Sequence, residues 1–126
     1  MELSQHKDYF STQAKTYADF RPTYPSALYE FLLQHIPVRG LAWDCATGNG
    51  QVANQLASYF EKVYATDISQ QQLEHATQKK NIFYSISPAE KTSFVDKQFD
   101  LITVGQALHW FDRNRFYEEV RRVAKP

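Results

Sequence analysis

The spacing of apolar residues changes several times along the chain, and each change marks an element. Between residues 8 and 19, Phe10, Ala14, Tyr17 and Ala18 recur at helical spacing, and Pro22 and Pro25 close that segment. Ser26 can cap a second helix, with Leu28, Phe31, Leu32 and His35 or Ile36 along one face. Pro37 and Gly40 then interrupt the chain. Leu41-Ala42-Trp43-Asp44-Cys45 is a short apolar run, Ala46-Thr47-Gly48-Asn49-Gly50 a small-residue bend, and Val52, Ala53, Leu56, Ala57 and Phe60 return to helical spacing. Strand, tight turn and helix in that order open an α/β sheet. The pattern continues with a second strand over Lys62–Asp67. Leu73 and Ala76 mark the buried side of a polar helix running through Gln78, Lys79 and Lys80. Asn81–Ile86 reads as a third strand and Phe99–Gly105 as a fourth. Asp112 can cap a last helix that turns Phe116, Val120 and Val123 inward and carries a Glu118–Arg122 pair outside. Strands alternating with helices predict an open, mostly parallel sheet with helices on both faces.

Composition narrows what such a domain can be. A chain of 126 residues forms one small domain that buries about two-thirds of the surface exposed by its unfolded state. Fourteen basic residues balance fourteen acidic ones, with no basic stripe, which argues against a nucleic-acid partner. The single cysteine, Cys45, excludes both a disulfide framework and a zinc-finger ligand set. The first eight residues have no apolar core and no apolar run approaches membrane-spanning length, so a cytoplasmic chain with no membrane partner is expected.

The chemistry concentrates at the bend after the first strand. Gly48 and Gly50 allow a sharp turn and a close approach by the backbone, and the amides opening the next helix face a crevice. Gly48-Asn49-Gly50-Gln51-Val52-Ala53 fits the dinucleotide fingerprint G-x-G-x-x-G/A, with Asp67 placed where a ribose-binding acid belongs. Asp44 favours a different cofactor. A carboxylate beside this bend repels a diphosphate and attracts the ammonium of an amino-acid tail, such as the methionine end of S-adenosyl-L-methionine. Asp67 suits either cofactor, because both carry an adenosine ribose. Its alternative role, capping the next helix, is better filled by Ser69 with Gln72 three residues on, which leaves Ile68 to lie along an adenine face.

The sequence resembles the class I S-adenosylmethionine-dependent methyltransferases, in the branch that includes trans-aconitate-type enzymes. The resemblance is carried by Phe20-Arg21-Pro22-Thr23-Tyr24-Pro25, Ala42-Trp43-Asp44 through Gln51, Tyr64-Ala65-Thr66-Asp67-Ile68-Ser69, Ser87-Pro88-Ala89-Glu90, Phe99-Asp100-Leu101-Ile102-Thr103-Val104 through Gln106-Ala107-Leu108-His109-Trp110-Phe111, and Arg121-Arg122-Val123-Ala124-Lys125-Pro126. It implies a Rossmann-like fold with strands in the order 3-2-1-4. It divides the chain into an N-terminal helical lid over residues 1–39 and a cofactor domain over residues 40–126. It also implies that the lid helix closes over the cofactor, bringing Tyr17 and Arg21 near the methionine tail. There the Arg21 guanidinium either neutralises a carboxylate or remains an ordinary solvated arginine. Asp44, Ala46, Thr47, Gly48 and Gly50 form the loop around the cofactor, Asp67 and Ile68 take the adenosine, and Ala89 and Glu90 lie near the adenine. Where many relatives carry an acid two positions before that alanine, this chain has Ser87, so Glu90 is left either to meet the adenine or to cap a short following helix.

Gln106 and His109 leave the fourth strand close to the sulfonium. Methyl transfer is an in-line displacement that needs aligned reactants and excluded water, with no metal or covalent intermediate. His109, with an ordinary pKa of about 6.5, either serves as a general base or lines the pocket of a small-molecule acceptor such as a carboxylate. Relatives continue past a glycine pair into a fifth strand and a hairpin. The expectation is therefore of a truncated domain whose fourth strand forms an edge able to self-associate. A cofactor-binding fragment without turnover and an NAD-dependent oxidoreductase are the alternative readings.

Overall fold

The structure, a computed structural model, describes residues 25–104 and 112–126. Its centre is a sheet of four parallel strands: β1 (Leu41–Cys45), β2 (Lys62–Asp67), β3 (Ile82–Ile86) and β4 (Leu101–Val104). They lie in the order β3-β2-β1-β4, as the resemblance implies. The helices are α1 (Ser26–Leu33), α2 (Gln51–Leu56), α3 (Gln70–Glu74) and α4 (Arg113–Val123). The central strand β1 is the most buried, because helices and loops cover both of its faces.

Register decides which residues meet. Partners across a parallel sheet share a face, and one row runs Tyr84, Ala65, Asp44, Thr103. On this face Ala42, Val63, Ala65 and Ile82 pack with Tyr29 and Leu33 of α1, with Ala53 and Leu56 of α2, and with Phe60. The opposite cluster gathers Trp43, Cys45, Ala89, Phe99, Phe116 and Val123. Trp43 is fully buried there, its ring centre 5.4 Å from Phe94 and 6.0 Å from Phe99. A buried indole N–H needs an acceptor, and it donates to Thr66 Oγ1 at 2.9 Å. Together the two clusters make the three-layer arrangement the alternating pattern predicts.

Five local expectations are corrected. Pro25, not Ser26, occupies the position before α1, and no side chain caps that helix. The inward face of α1 is Tyr29 and Leu33, while Leu28 and Phe31 are exposed. The set 29, 33, 36 is as helical as 28, 32, 35, and the Tyr29 hydroxyl decides between them by donating to Gln55 Oε1 at 2.7 Å on α2. Next, α3 ends at Glu74 rather than running through Lys80. The residues that follow are tied to α2 and the turn after it instead: Lys79 Nζ donates to Asn54 O at 3.2 Å, and Asn81 Nδ2 to Ala57 O at 2.9 Å and Phe60 O at 3.2 Å. Those tertiary bonds outweigh the local helical preference.

The remaining two corrections concern α4 and the loop that crosses it. Asp112 caps α4 as expected, accepting the Arg115 N–H at 3.3 Å. Arg122, however, pairs with Glu119 rather than Glu118. Its guanidinium spans both Glu119 oxygens (2.9 and 2.7 Å) and also reaches Asp96 Oδ1 at 2.8 Å and Phe94 O at 2.7 Å. Glu119 is buried and also accepts the Thr92 N–H and hydroxyl at 2.7 and 2.6 Å. The segment 87–98 therefore crosses α4 as an irregular loop held by this hub. No helix forms after Glu90, whose Oε2 accepts the Asp112 N–H at 3.1 Å.

A second clamp closes the opposite end of the sheet. Asp100 Oδ2 accepts the Gly40 and Leu41 N–H groups at 3.0 Å each, and Lys125 Nζ lies 2.9 Å from Oδ1. Burial works against the charged form of Asp100, but the Leu41 amide and Lys125 outweigh it and hold the carboxyl below its ordinary range. Among the described residues no helix is long and apolar enough to cross a membrane.

Candidate functional site

The carboxyl ends of β1 and β2 converge on the bend at residues 46–50. Ala46, Gly48 and Gly50 all take positive φ (55°, 60° and 83°), so the chain reverses within five residues. Glycine does this freely. Alanine at such a φ carries a cost of about 1–2 kcal/mol, which marks Ala46 as held by its surroundings. The Thr47 N–H donates to Thr66 O at 2.9 Å, the Gly50 N–H to Thr47 O at 3.0 Å, and the Gly48 N–H to Asp67 Oδ2 at 2.9 Å. The bend is thus laced to the end of β2.

Asp44 lies beneath the bend and is only 3% exposed. Its Oδ2 accepts the Thr47 hydroxyl at 2.6 Å and its Oδ1 the Thr103 hydroxyl at 2.8 Å. A buried carboxylate is tolerated only with such donors. One loop residue and one residue of β4 therefore fix a negative group at the floor of the crevice.

Asp67 is oriented from two sides, since Oδ2 takes the Gly48 amide and Oδ1 the Ser69 amide at 2.9 Å. Ser69 Oγ in turn accepts the Gln72 N–H at 3.2 Å and caps α3, as its spacing predicts. The other half of the expected capping box is absent, because the Ser69 N–H goes to Asp67 rather than to Gln72. Ile68, beside this carboxylate, is 39% exposed. The Ser87 N–H donates to Asp67 O at 3.0 Å and brings the turn after β3 to the same edge. Ala89 is buried in the Trp43 cluster, and Glu90 is turned toward Asp112 as described above.

The structure therefore brings Asp44, Ala46, Thr47, Gly48, Gly50, Asp67 and Ile68 together, with Ala89 and Glu90 next to them off the end of β3. Tyr17, Arg21, Gln106 and His109, and with them Trp110 and Phe111, lie outside the described residues. Three residues at the loop escape sequence reading. Thr103 and Tyr84 join it through sheet register, which no local pattern reveals. Thr77 joins through its N–H, which donates to Asn49 O at 3.2 Å. The sequence does ask what Gly50 makes room for: a Cβ there would run into the Tyr84 hydroxyl, so Gly50 serves packing between loop and sheet.

These residues fit an adenosyl cofactor with an amino-acid tail better than one with a diphosphate. A dinucleotide loop offers its amides to phosphate oxygens. Here the Thr47, Gly48 and Gly50 amides are bonded to Thr66, Asp67 and Thr47, and Asp44 puts negative charge under the same bend.

A parallel sheet with a glycine bend after β1 and an acid closing β2 defines a Rossmann-like cofactor domain. Residues 43–126 match the family described as methyltransferase domain, and the chain belongs to the class I S-adenosylmethionine-dependent methyltransferases. It is 43% identical over 119 residues to a Dictyostelium discoideum protein named as a methyltransferase, covering 94% of this chain and 45% of that one. A Schizosaccharomyces pombe methyltransferase is 27% identical over 121 residues, covering 93% of this chain and 48% of the relative. The solved structure of an Anaeromyxobacter dehalogenans protein, described as a type II methyltransferase, superposes with a TM-score of 0.79 at 43% identity. That superposition covers 85% of this chain and 46% of the other. The chain thus spans about half the length of these relatives.

Proposed function

We propose that the described residues bind S-adenosyl-L-methionine at the carboxyl ends of β1 and β2, and that the whole protein transfers a methyl group to a small-molecule acceptor, a carboxylate being the class we favour. The observation that carries this reading is the state of the glycine bend: its Thr47, Gly48 and Gly50 amides are bonded within the protein and a buried Asp44 lies beneath it. In this reading Asp67, oriented by the Gly48 and Ser69 amides, accepts the ribose hydroxyls, and exposed Ile68 covers one adenine face. Ala89 presents backbone to the adenine, and Glu90 closes that end by holding the first amide of the α4 cap. Asp44, Ala46, Thr47, Gly48 and Gly50 surround the amino-acid tail, which Tyr17, Arg21 and Gln106 complete. When bound, the cofactor supplies an electrophilic methyl carbon on a sulfonium. The protein contributes alignment and exclusion of water, with His109 lining the acceptor side or accepting a proton there. The lid role expected of residues 1–39 falls to the part that precedes α1, because α1 itself buries Tyr29 and Leu33 in the core of the sheet, and residues 40–126 hold the cofactor. Because the chain spans about half of its relatives, we assign cofactor binding to these residues and turnover to the whole protein.

The test is calorimetric titration of S-adenosylhomocysteine into wild type and Asp67→Ala. Hydrogen bonds to a charged group are worth about 1.5–3 kcal/mol, so the variant is expected to bind roughly tenfold to a hundredfold more weakly. Equal affinity would remove Asp67 from the site. We also propose that β4 supports association of this chain. Among the described residues it pairs with β1 on one side and no strand flanks the other, the Phe99–Ala124 bridge lying before β4 in the chain. Sedimentation velocity is expected to show a concentration-dependent dimer, and a monomer at every concentration would refute this.

A further inference from the structure

The glycine bend is also held from the direction of β3, on the same face of the sheet. Asn49 O accepts the Thr77 N–H at 3.2 Å, and Thr77 O accepts the Tyr84 hydroxyl at 2.5 Å. That hydroxyl lies where a Cβ on Gly50 would stand. The same segment stays fastened to α2 and the turn after it through Lys79 and Asn81, so residues 77–81 and Tyr84 form one continuous brace along the loop and the helix it opens. Tyr84 stands two strands from Asp44 in the same row across the sheet. Burial first, and the charge of Asp44 second, push its phenol up to about 12, so it remains a hydrogen-bond donor throughout the working pH range.

We propose that Tyr84 is a positioning residue for the cofactor loop: its hydroxyl, wedged between Gly50 and the Thr77 carbonyl, sets the height of the bend and of the first turn of α2 against the crevice. The inference rests on the cofactor reading above. It gives position 50 a second reason to be glycine beside its positive φ, since the space a side chain would take on the sheet side is occupied by a phenol. It also assigns a role to the segment after α3: the chain leaves helical geometry at Glu74 to become the outer strut of the loop.

The experiment compares wild type, Tyr84→Phe, Gly50→Ala and the double variant. Tyr84→Phe keeps the ring and deletes only the hydroxyl. Without ligand, amide hydrogen exchange of residues 47–51 is expected to quicken several-fold in Tyr84→Phe, while β1 and β2 keep their wild-type protection. Affinity for S-adenosylhomocysteine is expected to fall about threefold to tenfold, the range of one net hydrogen bond. Gly50→Ala is expected to weaken binding more in the wild-type background than beside Tyr84→Phe, where the hydroxyl clash is gone. What remains there is the tight approach to the ring carbons at 3.0 and 3.2 Å and the strain of a positive φ that both backgrounds share. Unchanged loop exchange, wild-type affinity in Tyr84→Phe, equal Gly50→Ala penalties in both backgrounds, or loss of protection throughout the sheet would each overturn the proposal. If the loop exchange responds but wild type binds no S-adenosylhomocysteine, the brace stands and the cofactor reading fails.

Discussion

Asp67 and Thr103 differ in how a residue becomes visible in sequence. Asp67 ends an apolar run about twenty residues after a glycine bend and precedes Ser69, and these purely local cues place it where the structure has it. Thr103 carries no such cue, because it bonds to Asp44 from 59 residues away and only through the β1–β4 register. Tyr84 is concealed in the same way, and its role appears only when Gly50 is found against it. A third such pair joins the two strands at the core: the Trp43 indole donates to Thr66 Oγ1 in a fully buried setting. Thr66→Val keeps the shape and removes the acceptor, so it leaves a buried N–H unpaired. A loss of about 1–3 kcal/mol is expected for such a group, read as a lower urea midpoint. An unchanged midpoint would mean the indole finds another acceptor.

At the scale of elements, the strands and the α4 cap are legible because hydrophobic period and capping chemistry are local. Helix faces and lengths are less so, because partners elsewhere choose among equivalent registers. Tyr29 turns inward for Gln55, α3 stops short because the segment after it bonds to α2, and Arg122 selects Glu119 because the 87–98 loop brings Thr92 and Asp96 to it. This last hub carries a pH dependence. Arg122 first, with Thr92 adding to it against the opposing effect of burial, lowers the Glu119 carboxyl to about 2 from an ordinary 4.5. A folded-state pKa below the unfolded one stabilises the fold above the unfolded value, and that contribution is lost as pH falls through the folded one. The stability of wild type over Glu119→Gln is therefore expected to be constant above about pH 5 and to shrink between roughly pH 4.5 and 2. Urea titrations of both proteins at pH 7, 4 and 3 measure it, and a gap that does not narrow on acidification would show that Glu119 holds no proton-linked contact.

For the whole molecule, three-layer packing puts both clamps where they serve the crevice. The Asp100–Lys125 clamp ties the entry of β1 to the segment after α4, and the Glu119–Arg122 hub pins the crossing from β3 to β4. The opposite ends of the strands are left to the glycine bend, Asp67 and the turn at Ser87–Glu90. Strand order was readable through resemblance, whereas the commitment of the bend's amides was not, since it depends on how β1 and β2 end side by side. A bend with inwardly bonded amides over a buried carboxylate is expected to take an adenosyl cofactor with an amino-acid tail and to refuse a diphosphate. Thermal unfolding of the wild-type chain with saturating S-adenosylhomocysteine and, separately, with NAD measures that choice. Mass action predicts a raised unfolding temperature with the first ligand and none with the second. Stabilisation by NAD together with no response to S-adenosylhomocysteine would contradict it.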